Sequence, residues 1–190
     1  MNSPFRIAIV VGSLRKGSYN RKVAVAMSAL APPSLALEFV EIGDLPLYDE
    51  DLDVEGSVPT AWTRFRDALR PMDGVLFFTP EYNRSVPGGL KNAIDVGSRP
   101  YGKSVWSKKA GAVVSVATGA IGGMGANHVL RQSMVFLDVP TMQQPEVYIG
   151  NAAKLFAENG ALASEDTKKF FTTVIGAYAT WVAKIVGPKP

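Results

Sequence analysis

The sequence predicts a single α/β domain, residues 1–190, built on a parallel sheet with helices on both faces. Three observations carry this. The runs "FRIAIVV" (5–11), "DGVLFFTP" (73–80) and "AGAVVSVAT" (110–118) are apolar without alternation, the mark of strands buried on both faces. Between them the apolar residues shift to the three- and four-residue spacing of helices. The two patterns alternate about five times, which implies parallel strands joined by helical crossovers.

Each element has its own signal. A helix over about 20–30 follows the first strand, with Val23, Ala24, Met27 and Leu30 on one face. "LALEFVEI" (35–42) reads as the second strand. The acidic, turn-rich "GDLPLYDEDLDVEGSVP" reads as a loop with a solvated face. Trp62, Phe65 and Leu69 mark the inner face of the second helix, and Pro80 ends the third strand. A shorter helix runs from Gly88 to Val96, with Pro87 suited to its first turn. The glycine-rich "GAIGGMGA" opens a helix through Leu137, and "VPTMQQPEVYIG" carries a weaker fifth strand. The last helix shows one stripe through Phe170, Phe171, Val174, Ile175, Tyr178, Trp181, Val182 and Ile185. Ser164, Glu165 and Asp166 suit its start and Gly187-Pro188 its end.

Composition narrows the function. Hydrophobic residues make up 47% of the 190 and charged ones 19%, a globular balance. The net charge is only +3, and its cations are dispersed, which argues against a nucleic-acid partner. With no Cys and one His, His128, the chain lacks thiolate chemistry, disulfides and a Cys or His metal cluster. No apolar run reaches the ~18 residues of a membrane span. The expectation is a cytoplasmic protein without a membrane partner.

Sheets of this kind bind ligands at the carboxyl ends of their strands. Three loops lie there. "GSLRKGSYN" (12–20) has the glycine spacing of a Walker loop but no Lys in place, and Leu14 breaks the dinucleotide fingerprint. What remains suits one phosphate: hydroxyls from Ser13 and Ser18, an amide from Asn20, charge from Arg15 and a helix N-terminus. The same residues also suit a polar turn in which Ser18 or Asn20 caps the helix. "TPEYNRSVPGGLKNAID" offers Tyr82 as a flat aromatic edge and Asn83 as donor and acceptor, or simply a turn with a buried tyrosine. "SVATGAIGGMG" has glycines that let backbone approach a ligand edge, or only a tight start to a helix.

Together these three segments resemble the NADPH-dependent FMN reductase family of flavodoxin-like proteins, in particular its bacterial chromate and quinone reductase branch, which is also similar to azoreductases. The resemblance runs from about residue 5 to 150, with the motifs in order at the family spacing. It implies a flavodoxin-like three-layer sandwich with five parallel strands in the order 2-1-3-4-5. It implies bound FMN, and NADPH or NADH as electron donor. The phosphate motif falls on Ser13, Arg15, Ser18, Tyr19 and Asn20. The flavin-ring loop falls on Pro80, Glu81, Tyr82, Asn83 and Arg84, and the strand-four loop on Ser115, Ala117, Thr118 and Gly119. A homodimer or homotetramer is implied as well. The chain departs from the family at Val96, where relatives often carry Trp, and at Val116 and Ala117, where hydroxyl residues are common. Gly125 and His128 stand where relatives often carry Arg and Tyr at a subunit contact.

The implied activity is ping-pong hydride transfer through FMN to small acceptors: quinones, flavins, azo compounds or metal oxyanions such as chromate. Hydride passing between stacked rings needs alignment, so no catalytic side chain is expected. His128 reads as a surface or interface residue on its helix. Lys103, Lys108 and Lys109 read as solvated loop lysines, with an NADPH phosphate as the alternative. The rival functions are an FMN-binding electron carrier or redox sensor without turnover, and a P-loop-like hydrolase, which the missing Lys opposes.

Overall fold

The computed structural model describes residues 3–188. Five parallel strands form one sheet: β1 (Phe5–Val11), β2 (Leu35–Phe39), β3 (Gly74–Thr79), β4 (Ala110–Val116) and β5 (Val147–Ile149). Their order is β2-β1-β3-β4-β5, the order that the resemblance implies. The order in which strands are added reverses between β1 and β3, and the loops after β1, β3 and β4 open at one edge. The helices are α1 (Tyr19–Ala29), α2 (Thr60–Leu69), α3 (Gly88–Gly97), α4 (Met124–Phe136) and α5 (Glu165–Val186). Among the described residues no helix is long and apolar enough to cross a membrane.

Strand alternation sorts the core into two layers. Ala8, Val10, Val75, Phe77 and Val113 face α2, α3 and α4. Ile7, Ile9, Val11, Leu76, Phe78 and Val114 face α1 and α5. Each central strand is buried on both sides, which is why its sequence shows no polar alternation. The helix ends follow local chemistry. Ser18 caps α1, its Oγ accepting from the Arg21 amide at 3.2 Å. Ser164 caps α5, with Glu165 and Asp166 in the first turn, and Gly187 closes it at φ 81°.

Five boundaries differ from expectation. β2 ends at Phe39, although the Val40 amide still reaches the Ile9 carbonyl at 2.9 Å; as an edge strand it has no second neighbour to extend the ladder. β4 stops at Val116, and β5 has only three residues. Pro87 caps α3 rather than entering its first turn. Gly122 and Gly123 take positive φ, so the glycine segment stays a turn and α4 starts at Met124.

Two charged groups expected in solvent are buried. Asp53, in the acidic loop, pairs with Arg66 of α2; their side chains are 3% and 5% exposed. Lys109 is buried at the start of β4, and its Nζ donates to the Met72 and Arg70 carbonyls just past α2. It lies at the sheet edge opposite the three loops and takes no part there.

Burial pushes the Lys109 pKa down, against the opposing pull of Asp73. The folded chain thus holds this proton less tightly than the unfolded chain, where lysine titrates near ~10.4. The charge costs stability at neutral pH, and that cost fades as pH rises from the lowered folded pKa toward the unfolded value. Urea unfolding of Lys109→Met should therefore gain less stability than the parent protein as pH rises from neutral toward about 10. An identical gain in both would show that Lys109 does not govern that window.

Candidate active site

β1 empties into the first loop at Gly12, whose amide bonds the Phe78 carbonyl at 2.7 Å. A Cβ there would meet Leu90 Cδ2 at 2.9 Å, so glycine lets the loop lie against α3. The chain turns at Arg15–Ser18, with the Ser18 amide on the Arg15 carbonyl at 3.1 Å, and passes into α1. Among the described residues, the amides of Arg15, Lys16, Gly17, Tyr19 and Asn20 make no hydrogen bond. No acidic residue sits in the first turn of α1. This is an anion cradle at a helix N-terminus.

Three polar side chains around it are buried: Ser13, Ser18 and Asn20. Ser18 serves as the cap through an oxygen lone pair, and its hydroxyl proton remains available. Asn20 is not a cap. Its Nδ2 crosses to the Val116 carbonyl at the end of β4, at 3.2 Å, and ties the first loop to the third. Its Oδ1 is buried without a partner. An unpaired buried acceptor costs about 1–3 kcal/mol, so this position calls for a ligand donor.

The second loop is a tight hairpin. Tyr82 and Ser85 exchange both backbone bonds, at 2.9 and 3.0 Å, around Asn83 and Arg84 at φ 53° and 64°. Positive φ at both central residues is the type I′ geometry. Glu81 anchors the hairpin. Its Oε2 accepts from the Ala126 amide at 3.1 Å, and its Oε1 from Arg84 Nη1 at 3.3 Å. It thereby caps α4, whose own N-cap, Gly123, has no side chain to do so. A Cβ on Gly125 would meet Glu81 Oε2 at 2.9 Å, which ties the glycine found there to this contact.

The third loop leans on β5. The Ala117 amide donates to the Ile149 carbonyl and its carbonyl accepts from Ala152, at 2.9 and 3.1 Å. The Thr118 and Gly119 amides make no hydrogen bond among the described residues.

A cavity of about 160 Å³ lies between the loops, lined by Ser13, Arg15, Ser18, Tyr19, Asn20, Pro80, Glu81, Tyr82, Val116, Ala117 and Thr118. An adjoining groove of about 340 Å³ shares Arg15 and Tyr82 and runs along Leu14 and Pro87–Gly89 at the start of α3. Four of the expected residues lie outside these walls. Asn83 and Arg84 form the exposed tip of the hairpin. Gly119 is beyond the rim, its carbonyl accepting from Asn151 at 3.3 Å. Ser115 has its hydroxyl turned under α4, donating to the Val147 carbonyl at 3.3 Å and accepting from Asn127 Nδ2 at 3.3 Å. β-strand alternation explains it: Ser115 shares the Val113 face, while Val116 points toward α1. His128 is also remote, exposed on α4 with Nε2 2.9 Å from Tyr148 Oη.

Sequence reasoning missed the groove beside α3 and a polar network under α4. Asn127 binds Ser115 and Val147, and its Oδ1 accepts from Arg131 Nε at 2.8 Å. The signal was an Asn–Arg pair four residues apart on α4.

The donors fit FMN. The cradle and Arg15 match a phosphate, and the unpaired Asn20 Oδ1 matches a hydroxyl of a ribityl chain. Residues 5–154 match the family model of the NADPH-dependent FMN reductases. The chain is 63% identical to a quinone reductase of Pseudomonas putida over 96% of this chain and 97% of that protein. It is 46% identical to a 2-hydroxy-1,4-benzoquinone reductase of a Burkholderia species, over 93% and 96%. Its fold superposes with a TM-score of 0.89 on a flavoenzyme NAD(P)H:(acceptor) oxidoreductase from Paracoccus denitrificans, at 38% identity over 95% of this chain and 98% of that one. On fold, loop chemistry and sequence, the chain belongs to the NADPH-dependent FMN reductase family.

Proposed function

We propose that the chain is an FMN-dependent NAD(P)H oxidoreductase that reduces quinones, with free flavins, azo compounds and metal oxyanions as further acceptors. The observation that carries this is the anion cradle at the start of α1, with its unpaired Asn20 acceptor, in a chain 63% identical to a quinone reductase. When bound, FMN supplies a ring that takes hydride from the nicotinamide and delivers electrons to the acceptor.

The protein's part is binding and alignment. Ser13, Ser18, Arg15 and the open amides hold the phosphate. Asn20 Oδ1 accepts from a hydroxyl of the ribityl chain. Pro80 and Tyr82 wall the ring, and the groove beside α3 offers room for a second planar molecule. The Thr118 and Gly119 amides favour negative charge at the third loop. Glu81 positions the hairpin from behind, through α4, and exchanges no proton with substrate. The functional unit is the whole chain acting in the cytoplasm.

FMN should bind more tightly than riboflavin, and Arg15→Ala should weaken FMN by about 1.5–3 kcal/mol, roughly 10- to 150-fold. Fluorescence titration measures both. Equal affinity for riboflavin would remove the phosphate from the cradle. The visible spectrum before and after anaerobic NADPH tests the activity: bleaching that quinone reverses supports it, and a flavin that NADPH leaves oxidised reduces the protein to a carrier.

We also propose a homodimer, in which α4 takes part. Val135 and Phe136, at the end of that helix, are 81% and 80% exposed, a large apolar pair to leave in water. Light scattering should give at least twice 20.3 kDa at micromolar concentration. A monomer mass there would remove this half of the reading.

A further inference from the structure

A second, larger cavity lies beside the first loop, outside the site already described. It is a groove of about 590 Å³ between α1 and the segment that leads into α5. That volume lies in the small-molecule range of about 300–1,000 Å³. Its floor is apolar: Val25, Ala29 and Leu30 of α1 face Phe156 and Leu162. Val25 is 53% exposed, although it neighbours a wall of the same character.

The mouth of the groove is mainly cationic: its one carboxylate, Glu165, stands 3.9 Å from Lys168, with Lys16, Arg21 and Lys22 beside them. Arg21 is committed to Glu41, at 2.6 Å. Lys16 and Lys22 have no carboxylate partner among the described residues. Lys22 is held there by two rings, its Nζ 5.5 Å from the Tyr19 centroid and 5.8 Å from that of Phe156. An apolar trough with a fixed, unpaired ammonium at one end selects a ligand with an apolar body and one anionic head. We propose that this groove binds a small amphipathic carboxylate, with its chain on Val25, Ala29 and Leu30 and its head at Lys22. The groove borders the phosphate loop, since Ser18 lines both cavities, but it is a separate site and is filled while FMN is bound.

Decanoate titrated into FMN-loaded protein by calorimetry tests this, with 1-decanol as the neutral counterpart. Decanoate should bind saturably, about two- to fivefold tighter than the alcohol. Lys22→Gln should weaken decanoate by about two- to fivefold, the range of an exposed ion pair, and leave decanol unchanged. Ala29→Phe fills the trough from an exposed helix position and should abolish binding of both, with the melting temperature and the flavin spectrum of the parent. Equal affinity for acid and alcohol, or full binding by Ala29→Phe, would overturn the proposal. So would decanoate affinity that falls as protein concentration rises, the sign that a second copy of the chain occupies the groove.

Discussion

Replacing Asp53 by alanine should lower the unfolding free energy by about 3–5 kcal/mol, the usual cost of stripping one partner from a buried ion pair. Asp53 accepts from Arg66 Nη1 and Nη2, both at 2.8 Å, and Arg66 Nε donates to the Val96 carbonyl at 2.9 Å. Removing the carboxylate leaves a guanidinium 5% exposed, with one carbonyl and the face of Trp62, 5.7 Å away, but no counter-charge. The site would feel the change too. The pair pins the far half of the acidic loop against α2 and the end of α3, while Asn92 of α3 holds Leu45–Tyr48 through three hydrogen bonds. For a chain of this size the loss corresponds to a fall in melting temperature of roughly 6–20 °C. Urea unfolding followed by tryptophan fluorescence checks it. The double variant Asp53→Leu with Arg66→Met should cost far less than Asp53→Ala, because neither charge is then left alone. A loss below about 1 kcal/mol in Asp53→Ala would return Asp53 to the solvated surface.

Gly122→Val should be nearly as damaging, and should act on the flavin site directly. Gly122 has φ 67°, and a Cβ there would meet the Tyr148 carbonyl carbon at 2.5 Å and the Ile149 nitrogen at 2.8 Å. Those are backbone atoms at the end of β5 and cannot swing aside. The left-handed conformation costs a branched residue about 1–2 kcal/mol and the overlap about 1–3 more, together about 2–5 kcal/mol. The third loop must move off β5, breaking the Ala117–Ile149 bond and displacing the Thr118 and Gly119 amides. FMN affinity should fall about tenfold in the fraction that folds, the effect of losing one or two hydrogen bonds of about 0.5–1.5 kcal/mol each. Wild-type FMN affinity in Gly122→Val would show that the third loop does not touch the cofactor.

The parts of the fold legible in the sequence were those with repetition. The apolar runs of β1, β3 and β4 and the stripe of α5 state their burial several times over. The first loop was legible because its residues act where they stand: Ser13, Arg15, Ser18 and Asn20 do meet at one cavity. What was hidden depends on partners distant in the chain. Nothing in the acidic segment marks Asp53 apart from its neighbours; the signal lay on α2, where Arg66 occupies the buried stripe between Phe65 and Leu69. Ser115 was misplaced because a strand's side chains alternate, and its motif names a segment rather than a face. The role of Glu81 as a remote cap for α4 needed the third dimension, since Ala126 follows 45 residues later.

Buried polar groups that take no part in the site cluster at the opposite edge of the sheet from the anion cradle. Lys109 on the carbonyls after α2, and the Tyr178 hydroxyl on the Ala110 carbonyl at 2.8 Å, sit where β4 begins. The cradle and its Asn20 tether sit where β4 ends. At about 3.3 Å per residue, the seven residues of β4 separate the two by roughly 20 Å. Substitutions that far apart without shared partners add almost independently. Acceptor preference can therefore drift at one rim while compensating changes accumulate at the other. Such a scaffold can be retuned repeatedly, in laboratory selection as in natural descent, without each new specificity having to carry its own stabilising change.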